Sequence, residues 1–337
     1  MKNKPLVVAF PHPPSSIGGP GSFQSRLENR LLFDGHTVIY AKHGSKIKPD
    51  VILVVGGTGK IFWLLFQRLR GIRVVHRLDG KNWQQSIAKD GLTIGVKSQL
   101  VNWILWGIKF FLADAVIYQS NFVAKLWKEN IFSYSNIKND QHIIYNAVPT
   151  DEFFPIGKTP VKDVEFKIIC IEGSINGAPA IEILRSINDI EVNIYGKVSA
   201  EVLKSFNKSP KRNILFKGVI DRSQVPKALA GLKIFLNLET NPPCPNAVIE
   251  AMSSGVPVVG FDSGSLKELV GDAGIVLPYG AGNPNLLAPP DCALLDKTIK
   301  DIIRNYGSYS NAARRRAERI FSLDIMYDEY CKVLFKK

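Results

Sequence analysis

Two doubly wound α/β halves are what this sequence predicts, on three observations. Short apolar runs bounded by turn residues alternate with amphipathic stretches of helical length, once over residues 6–145 and again over 167–260. A segment with three prolines, NAVPTDEFFPIGKTP at 146–160, separates the two series. The 337 residues exceed one ordinary domain and suit two of about 150, and 45% hydrophobic content supplies two cores. The expected division is 1–155, 156–315 and a helical tail over 316–337.

Leu6–Phe10 reads as a first strand, followed by the loop PHPPSSIGGPGSF, a helix over Ser22–Phe33 ended by Gly35-His36, and a strand over Thr37–Tyr40. Ligands of open α/β sheets bind at the carboxyl ends of strands, which makes Gly18 and Gly19 candidates to approach one; a plain turn is the alternative. Neither glycine loop is a nucleotide fingerprint. Gln24 stands where the dinucleotide motif needs its third glycine, and GGTGK at Gly56–Lys60 lacks the first glycine and the Ser or Thr of a phosphate loop. Val51–Val55 is a strand, Ile61–Leu69 a helix, and Val74–Leu78 a strand ending in Asp79-Gly80. His76, Arg77 and Asp79 at that strand end are candidate site groups, the alternative for Asp79-Gly80 being a turn. Leu100–Leu112, with Trp103, Trp106, Phe110 and Phe111, reads as a buried helix, or otherwise as a membrane-surface face. Ala115–Tyr118 is a strand, Ser120 caps a helix over Phe122–Glu129, and Ile143–Tyr145 closes the half.

The second half repeats the alternation. Strands are expected over Lys167–Ile171, Glu191–Tyr195, Ile214–Lys217 and Ile234–Asn237, with helices over Ala178–Ser186, Ala200–Phe206 and Val225–Leu229. The most informative stretch follows: NLETNPPCPNAVIEAMSSGVPVVGFDSG, Asn237–Gly264. Pro245 suits a first helical turn, where no N–H is needed. Val248, Ile249, Ala251 and Met252 can pack inward, and Asn246 and Glu250, four apart, share a face. The amides of Asn246 and Ala247 point out of the positive helix end, where phosphate is favoured. Gly255 stops the helix, and Val256–Gly260 reads as a buried strand. An anion site beside a hydroxyl-binding carboxylate suits a sugar nucleotide; a solvated Glu250 on a core helix is the other reading. The tail Asn311–Phe335 reads as helical, and Arg314–Arg316 as a solvated basic face.

The net charge of +13 calls for a negative partner: a nucleoside diphosphate, nucleic acid or anionic lipid. Lysines and arginines are scattered with no aromatic-interleaved basic motif, which sets nucleic acid aside. Weak peripheral membrane contact through Lys97 and Lys109 remains open. Cys170, Cys244, Cys292 and Cys331 show no zinc spacing and fit a reducing interior. The apolar run of MKNKPLVVAF is too short for a signal peptide, and Val101–Tyr118 is interrupted by Asn102, Lys109 and Asp114, so the expected location is cytoplasmic.

These motifs together resemble the retaining glycosyltransferases of family 4, whose fold is GT-B: two Rossmann-like domains, the first on the acceptor side and the second binding the nucleotide sugar, with a C-terminal helix returning to the first. CPNAVIEAMSSGVPVVG carries the resemblance most specifically. Gly18-Gly19 with Gly35-His36 sixteen residues on, Ala113-Asp114 leading to Ser120, and Asn146-Ala147-Val148 leading to Phe153 or Phe154 support it. The resemblance implies that Glu250 is the second carboxylate of the family's Glu-x7-Glu motif and holds the ribose hydroxyls. It implies that Asn246 and Ala247 grip the diphosphate and that the backbone at Gly18-Gly19 reaches the same phosphates.

This chain departs from the pattern in three places. Pro242 stands where the first acid belongs, leaving Glu239 or the Asn241 amide to substitute. In EGSINGAPA, Ser174 and Pro179 replace the family's phosphate-binding Arg and Lys, so that Gly173 with Lys197, Arg77 or Lys267 must serve the donor. HRLDG keeps Asp79 but moves the histidine to position 76. The implied activity is transfer of a hexose, glucose or mannose type, from a UDP- or GDP-linked donor to a saccharide or other hydroxyl acceptor. Asp79 and His76 would orient hydroxyls. No Asp-x-Asp occurs, so neither metal nor other cofactor is required beyond the sugar nucleotide. The alternative is a degenerate fold that binds sugar or nucleotide without transfer. Oligomeric state is not legible.

Overall fold

A computed structural model describes residues 5–15, 18–41, 47–80, 92–128, 140–155, 167–175, 177–229 and 232–336. Glu129, residues 156–160 and the side chain of Lys97, on which expectations were placed, lie outside what it describes. The chain divides into two compact units, one of Met1–Asn146 with Asp324–Lys337 and one of Ala147–Leu323.

The first unit is built on a parallel sheet of β1 (Val7–Phe10), β2 (Thr37–Tyr40), β3 (Val51–Val55), β4 (Arg73–Leu78), β5 (Ala115–Tyr118) and β6 (Asp140–Ile143), in the order β2-β1-β3-β4-β5-β6. Parallel strands covered on both faces read as unbroken apolar runs. Interior strand β5 accordingly is buried at all four positions, whereas edge strand β6 alternates between half-buried and exposed. Helix α1 (Gly19–Phe33) starts three residues earlier than Ser22, because Pro20 is tolerated in a first turn and Gly18 turns the chain in at φ +93. Its buried stripe is Phe23, Leu27 and Leu31. Helix α2 (Ile61–Leu69) has the expected bounds.

The apolar run at 100–112 is only half buried. Helix α3 (Leu92–Gly107) passes into a π-turn (Ile108–Leu112), which sends Leu105, Ile108 and Leu112 inward. Leu100, Trp103 and Phe111 remain 60%, 61% and 68% exposed. A run apolar on every side has more surface than one packed layer covers. Lys109, expected to face a membrane, is buried, donating to Trp127 O at 3.3 Å over the Tyr118 and Trp127 rings. Ser120 caps α4 (Asn121–Lys128) through Val123 N.

The second unit holds β7 (Lys167–Ile175), β8 (Glu191–Val198), β9 (Ile214–Gly218), β10 (Ile234–Leu236), β11 (Val258–Phe261) and β12 (Gly274–Leu277), parallel in the order β12-β11-β10-β7-β8-β9. Helices α5 (Gly177–Ser186), α6 (Ala200–Lys208), α7 (Val225–Leu229), α8 (Asn246–Ser253), α9 (Leu266–Val270), α10 (Leu295–Arg304) and α11 (Tyr306–Ile320) accompany it. One core cluster joins Ala180, Leu184, Ile194, Ile234, Val259 and Ile299, from strands and helices on both sides of the β7–β10 pair.

The tail is two helices rather than one. Val148 N donates to Phe321 O, and Leu323 N to Val148 O, each at 3.0 Å. These bonds take the groups that would continue the helix, and α12 (Leu323–Leu334) starts anew. In the first unit α12 stacks Tyr330 on Phe23, centroids 5.1 Å apart, and Arg30 Nη1 lies 2.8 Å from Asp324 Oδ1. The arginine run is likewise not a solvated face. Arg314 donates to Thr150 O, Phe153 O and Ser253 O, and Arg316 to Glu268 O and Leu269 O. Only Arg315 of the three is exposed. Each guanidinium serves carbonyls at loops and helix ends, where backbone groups lack helical partners. Among the described residues no helix is long and apolar enough to cross a membrane.

Candidate functional site

In the second unit the strand order reverses between β7 and β10, since β7 is followed by β8 and β9 on one side while β10 opens the other. A crevice outside the carboxyl ends of the strands at such a reversal is where α/β sheets bind ligands. Four features meet that edge. The β7 end carries Gly173 at a register shift, so that Glu172 pairs with Gly196 and Ser174 with Lys197. Gly173 and exposed Lys197 thus share one pair of strand ends. The β10 end leads into the Asn237–Pro245 loop, and the loop delivers the start of α8.

Pro245 forms the N-cap of α8 at φ −70 and ψ 119, with no side-chain hydrogen bond capping the helix. The first-turn amides of Asn246 and Ala247 therefore head the helix at its positive end. Glu250, one turn in, is 9% exposed and is flanked by Ile249 and Ala251, both fully buried. It is not a solvated surface residue. A buried carboxylate in the first turns of a helix is stabilised by the helix field and suits hydrogen bonding to hydroxyls.

The preceding loop is held from beneath. Asn241 adopts φ +52, its N–H donates to Ser263 Oγ at 3.2 Å, and its Nδ2 donates to Asn285 Oδ1 at 2.9 Å. Pro242 O accepts from Ser265 N at 2.8 Å and Ser265 Oγ at 2.9 Å. The Asn241 amide is thus engaged inside the loop. Asn237, buried, donates Nδ2 to Glu239 O at 2.9 Å, and its Oδ1 has no partner among the described residues. Burial pushes the Glu239 carboxyl up, to about 7. Lys267 is 70% exposed and pairs with Asp262 at 3.0 Å.

The first unit has its own reversal, between β1 and β3. Gly18 and Gly19 end the loop after β1, and Gly56 follows β3. His76 is fully buried, donates Nε2 to Gly56 O at 2.9 Å, and is held neutral by burial, its pKa lowered to about 4. Arg77, 1% exposed, pairs with Asp79 Oδ1, donates to Gln119 Oε1 at 2.9 Å and Asn146 Oδ1 at 2.7 Å, and lies 4.0 Å from the Phe23 ring centroid. Asp79 is partly exposed and Trp127 Nε1 donates to its carbonyl at 3.0 Å. The sheet therefore gathers His76, Arg77 and Asp79, with Arg77 as a strut within the group.

A network that sequence reasoning missed borders the same edge. His12 Nε2 lies 2.8 Å from Thr58 Oγ1, Gln24 donates to His12 O and Glu28 Oε1, and Tyr40 OH donates to Glu28 Oε2. Burial raises the Glu28 carboxyl and lowers the His12 imidazole. The four-residue spacing of Gln24 and Glu28 was its one local signal.

Residues 177–296 match the family model described as Glycosyl transferases group 1. No curated protein sequence matches the chain. Among solved structures, sucrose-phosphate synthase from Thermosynechococcus elongatus superposes with a TM-score of 0.72 at 14% identity, covering 98% of each chain. HepE from Anabaena, in complex with UDP and glucose, gives 0.71 at 13% identity over 99% of this chain and 100% of its own. A glycosyltransferase from Rickettsia africae gives 0.66 at 15% over 99% and 100%.

The fold is GT-B. The resemblance carried by CPNAVIEAMSSGVPVVG thus stands at the level of fold. The matched segment encloses Lys197, Glu239, Asn246, Ala247 and Glu250, and it starts four residues after Gly173.

Proposed function

We propose that this GT-B protein transfers a hexose from a UDP- or GDP-linked donor to a hydroxyl of a saccharide acceptor, with retention at the anomeric carbon and without a bridging metal. The observation that carries the reading is the start of α8 at Pro245 with buried Glu250 one turn in, inside a segment matching the group 1 glycosyltransferase model. The complexes of HepE with UDP, glucose and UDP-glucose support a nucleotide-sugar donor.

In this reading the diphosphate lies against the amides of Asn246 and Ala247. The helix field and Lys197 offset the charge that grows on the leaving phosphate. Arg77 already carries its charge on Asp79, which leaves Lys197 as the better-placed cation. Glu250 accepts from the ribose hydroxyls. Glu239, its carboxyl pushed up by burial, hydrogen-bonds a sugar hydroxyl in place of the acid missing at Pro242. The C1–O bond to the phosphate breaks, the acceptor oxygen bonds C1 on the same face, and its proton passes to the leaving phosphate. Asp79, anchored by Arg77, orients an acceptor hydroxyl, and neutral His76 holds the Gly56 turn beside it.

A binding module without transfer is the second reading, favoured by Pro242, Ser174 and Pro179 standing where family 4 has charged residues. Incubating purified protein with a panel of UDP- and GDP-sugars and simple saccharides, and following nucleoside diphosphate release, separates the two. Release that depends on acceptor supports transfer; binding without any release supports the module.

A further inference from the structure

In the second unit the connection from β12 to α10, residues 278–294, is far longer than the ~4–6 residues that ordinarily join two elements, and it leaves from the carboxyl edge of the sheet. It closes on itself. Asp291 N donates to Tyr279 O, Tyr279 OH to Ala288 O, and Ala288 N to Asn283 O, each at 3.0 Å. Gly282 passes so close to the Pro289 carbonyl that any Cβ there would overlap it. Near the middle of the loop, the Asn283 side chain accepts from Asn285 N at 2.9 Å. Compact loops whose ends meet and whose own side chains pack them are frequently functional.

This loop reaches past β11 to the loop after β10. Asn285 Oδ1 accepts from Asn241 Nδ2 at 2.9 Å, and the Thr240 hydroxyl donates to that of Tyr279. Both sides of the contact carry backbone strain. Among the described residues three other than glycine have positive φ, and two of them are Asn241 at +52 and Leu287 at +54. Such conformations persist only where their surroundings hold them, and they gather at ligand sites. Asn241 stands between Glu239 and Pro242, at the sugar end of the proposed site. We infer that the closed loop over 279–291 sets the sugar specificity of the protein: Asn285 holds Asn241, and through it the placement of Glu239, so that one arrangement of sugar hydroxyls fits. Asn285 is a positioning residue and touches no substrate. The inference rests on the proposed transfer from a nucleotide sugar, and it separates a sugar end that Asn285 governs from a diphosphate end at the start of α8.

Asn285→Ala set against Asn285→Asp, both in the full chain, tests this, because aspartate keeps an oxygen that can accept from Asn241 Nδ2 and alanine does not. Without ligand, hydrogen exchange of the amides over residues 237–245 is expected to quicken about fivefold in Asn285→Ala, as loss of one neutral hydrogen bond implies, and to keep the parent rate in Asn285→Asp. With UDP, GDP and their glucose and mannose conjugates, Asn285→Ala is expected to bind the bare diphosphates as the parent does. Its preference among the sugars is expected to fall about fivefold, and Asn285→Asp to retain that preference. Asn285 is exposed, so thermal unfolding of both variants should match the parent, which distinguishes a displaced loop from a lost fold. Unchanged exchange in Asn285→Ala overturns the inference, and so does faster exchange with the preference among sugars intact. A parent that binds the diphosphates but shows no preference among the sugars overturns it as well. A parent that binds neither diphosphate nor nucleotide sugar overturns the donor reading itself, and the discrimination with it.

Discussion

Gly264 and Pro242 meet backbone to backbone: at φ +60, a Cβ on Gly264 would overlap the nitrogen and carbonyl oxygen of Pro242. Pro242, where the resemblance to family 4 implies an acid, is thus the point where the loop after β10 rests on the turn after β11. Only glycine allows that approach without strain or overlap. Gly264→Ala is expected to destabilise the fold by about 2 kcal/mol or more. Denaturant unfolding checks it; an unchanged midpoint means that the loop rests elsewhere.

Arg314 serves three carbonyls, those of Thr150, Phe153 and Ser253. Arg314→Ala takes the donor from the Thr150 and Ser253 carbonyls, while Phe153 O keeps Ser253 Oγ at 2.7 Å, and is expected to cost on the order of 2 kcal/mol, whereas exposed Arg315→Ala is expected to change stability by less than about 0.5 kcal/mol. A pair of thermal melts decides between this bracing role and the solvated face that the run of three arginines first indicated.

Glu239 supplies a pH dependence. Its carboxyl is raised by burial from an ordinary value of 4.5 to about 7, so the folded state holds the proton more tightly than the unfolded chain does. The stability this confers is complete below about 4.5 and is lost as pH rises through about 7. Glu239→Gln, which cannot ionise, is expected to flatten this part of the profile. Parallel slopes of stability against pH for parent and variant between about pH 5 and 8 would contradict it.

Asp79 and His76 have separable roles at one strand end. Asp79→Asn keeps the shape but weakens the pair with Arg77, and is expected to lower transfer at least about tenfold. His76→Ala removes the bond to Gly56 O from a fully buried site, and is expected to lower stability as well as rate. Full transfer rates in both variants exclude any part for this strand end in the reaction.

The elements that local pattern controls were legible. Helix α2 has its expected bounds, and α8 begins where Pro245 required it to. Apolar period and prolines are properties of a few neighbouring residues, so the alternation of both halves followed. What was not legible depends on distant partners. Arg77 reads as a free cation until Gln119 and Asn146 are brought to it, from 42 and 69 residues away. Residues 321–323 read as helix until Val148 takes the backbone carbonyl of Phe321 and the N–H of Leu323. Leu100–Leu112 reads as buried because composition does not reveal how many faces will find a neighbour, and Lys109 turned inward for the same reason. At the candidate site, helix phase put Glu250 and Asn246 on one face and the amides of Asn246 and Ala247 at the helix start, but left a solvated Glu250 open until the structure showed it 9% exposed. The Ser263 and Ser265 brace and the His12–Thr58 contact span 22 residues or more, and no local signal carries them.

The central claim is that a nucleoside diphosphate binds at the start of α8 with Glu250 on its ribose. Titration calorimetry of UDP and GDP on the parent and on Glu250→Ala tests it most directly. The expected result is binding of at least one nucleotide by the parent and a loss of roughly 1.5–3 kcal/mol in the variant, the cost of an unmet hydrogen bond to a charged group. Equal affinity in the two proteins would contradict it.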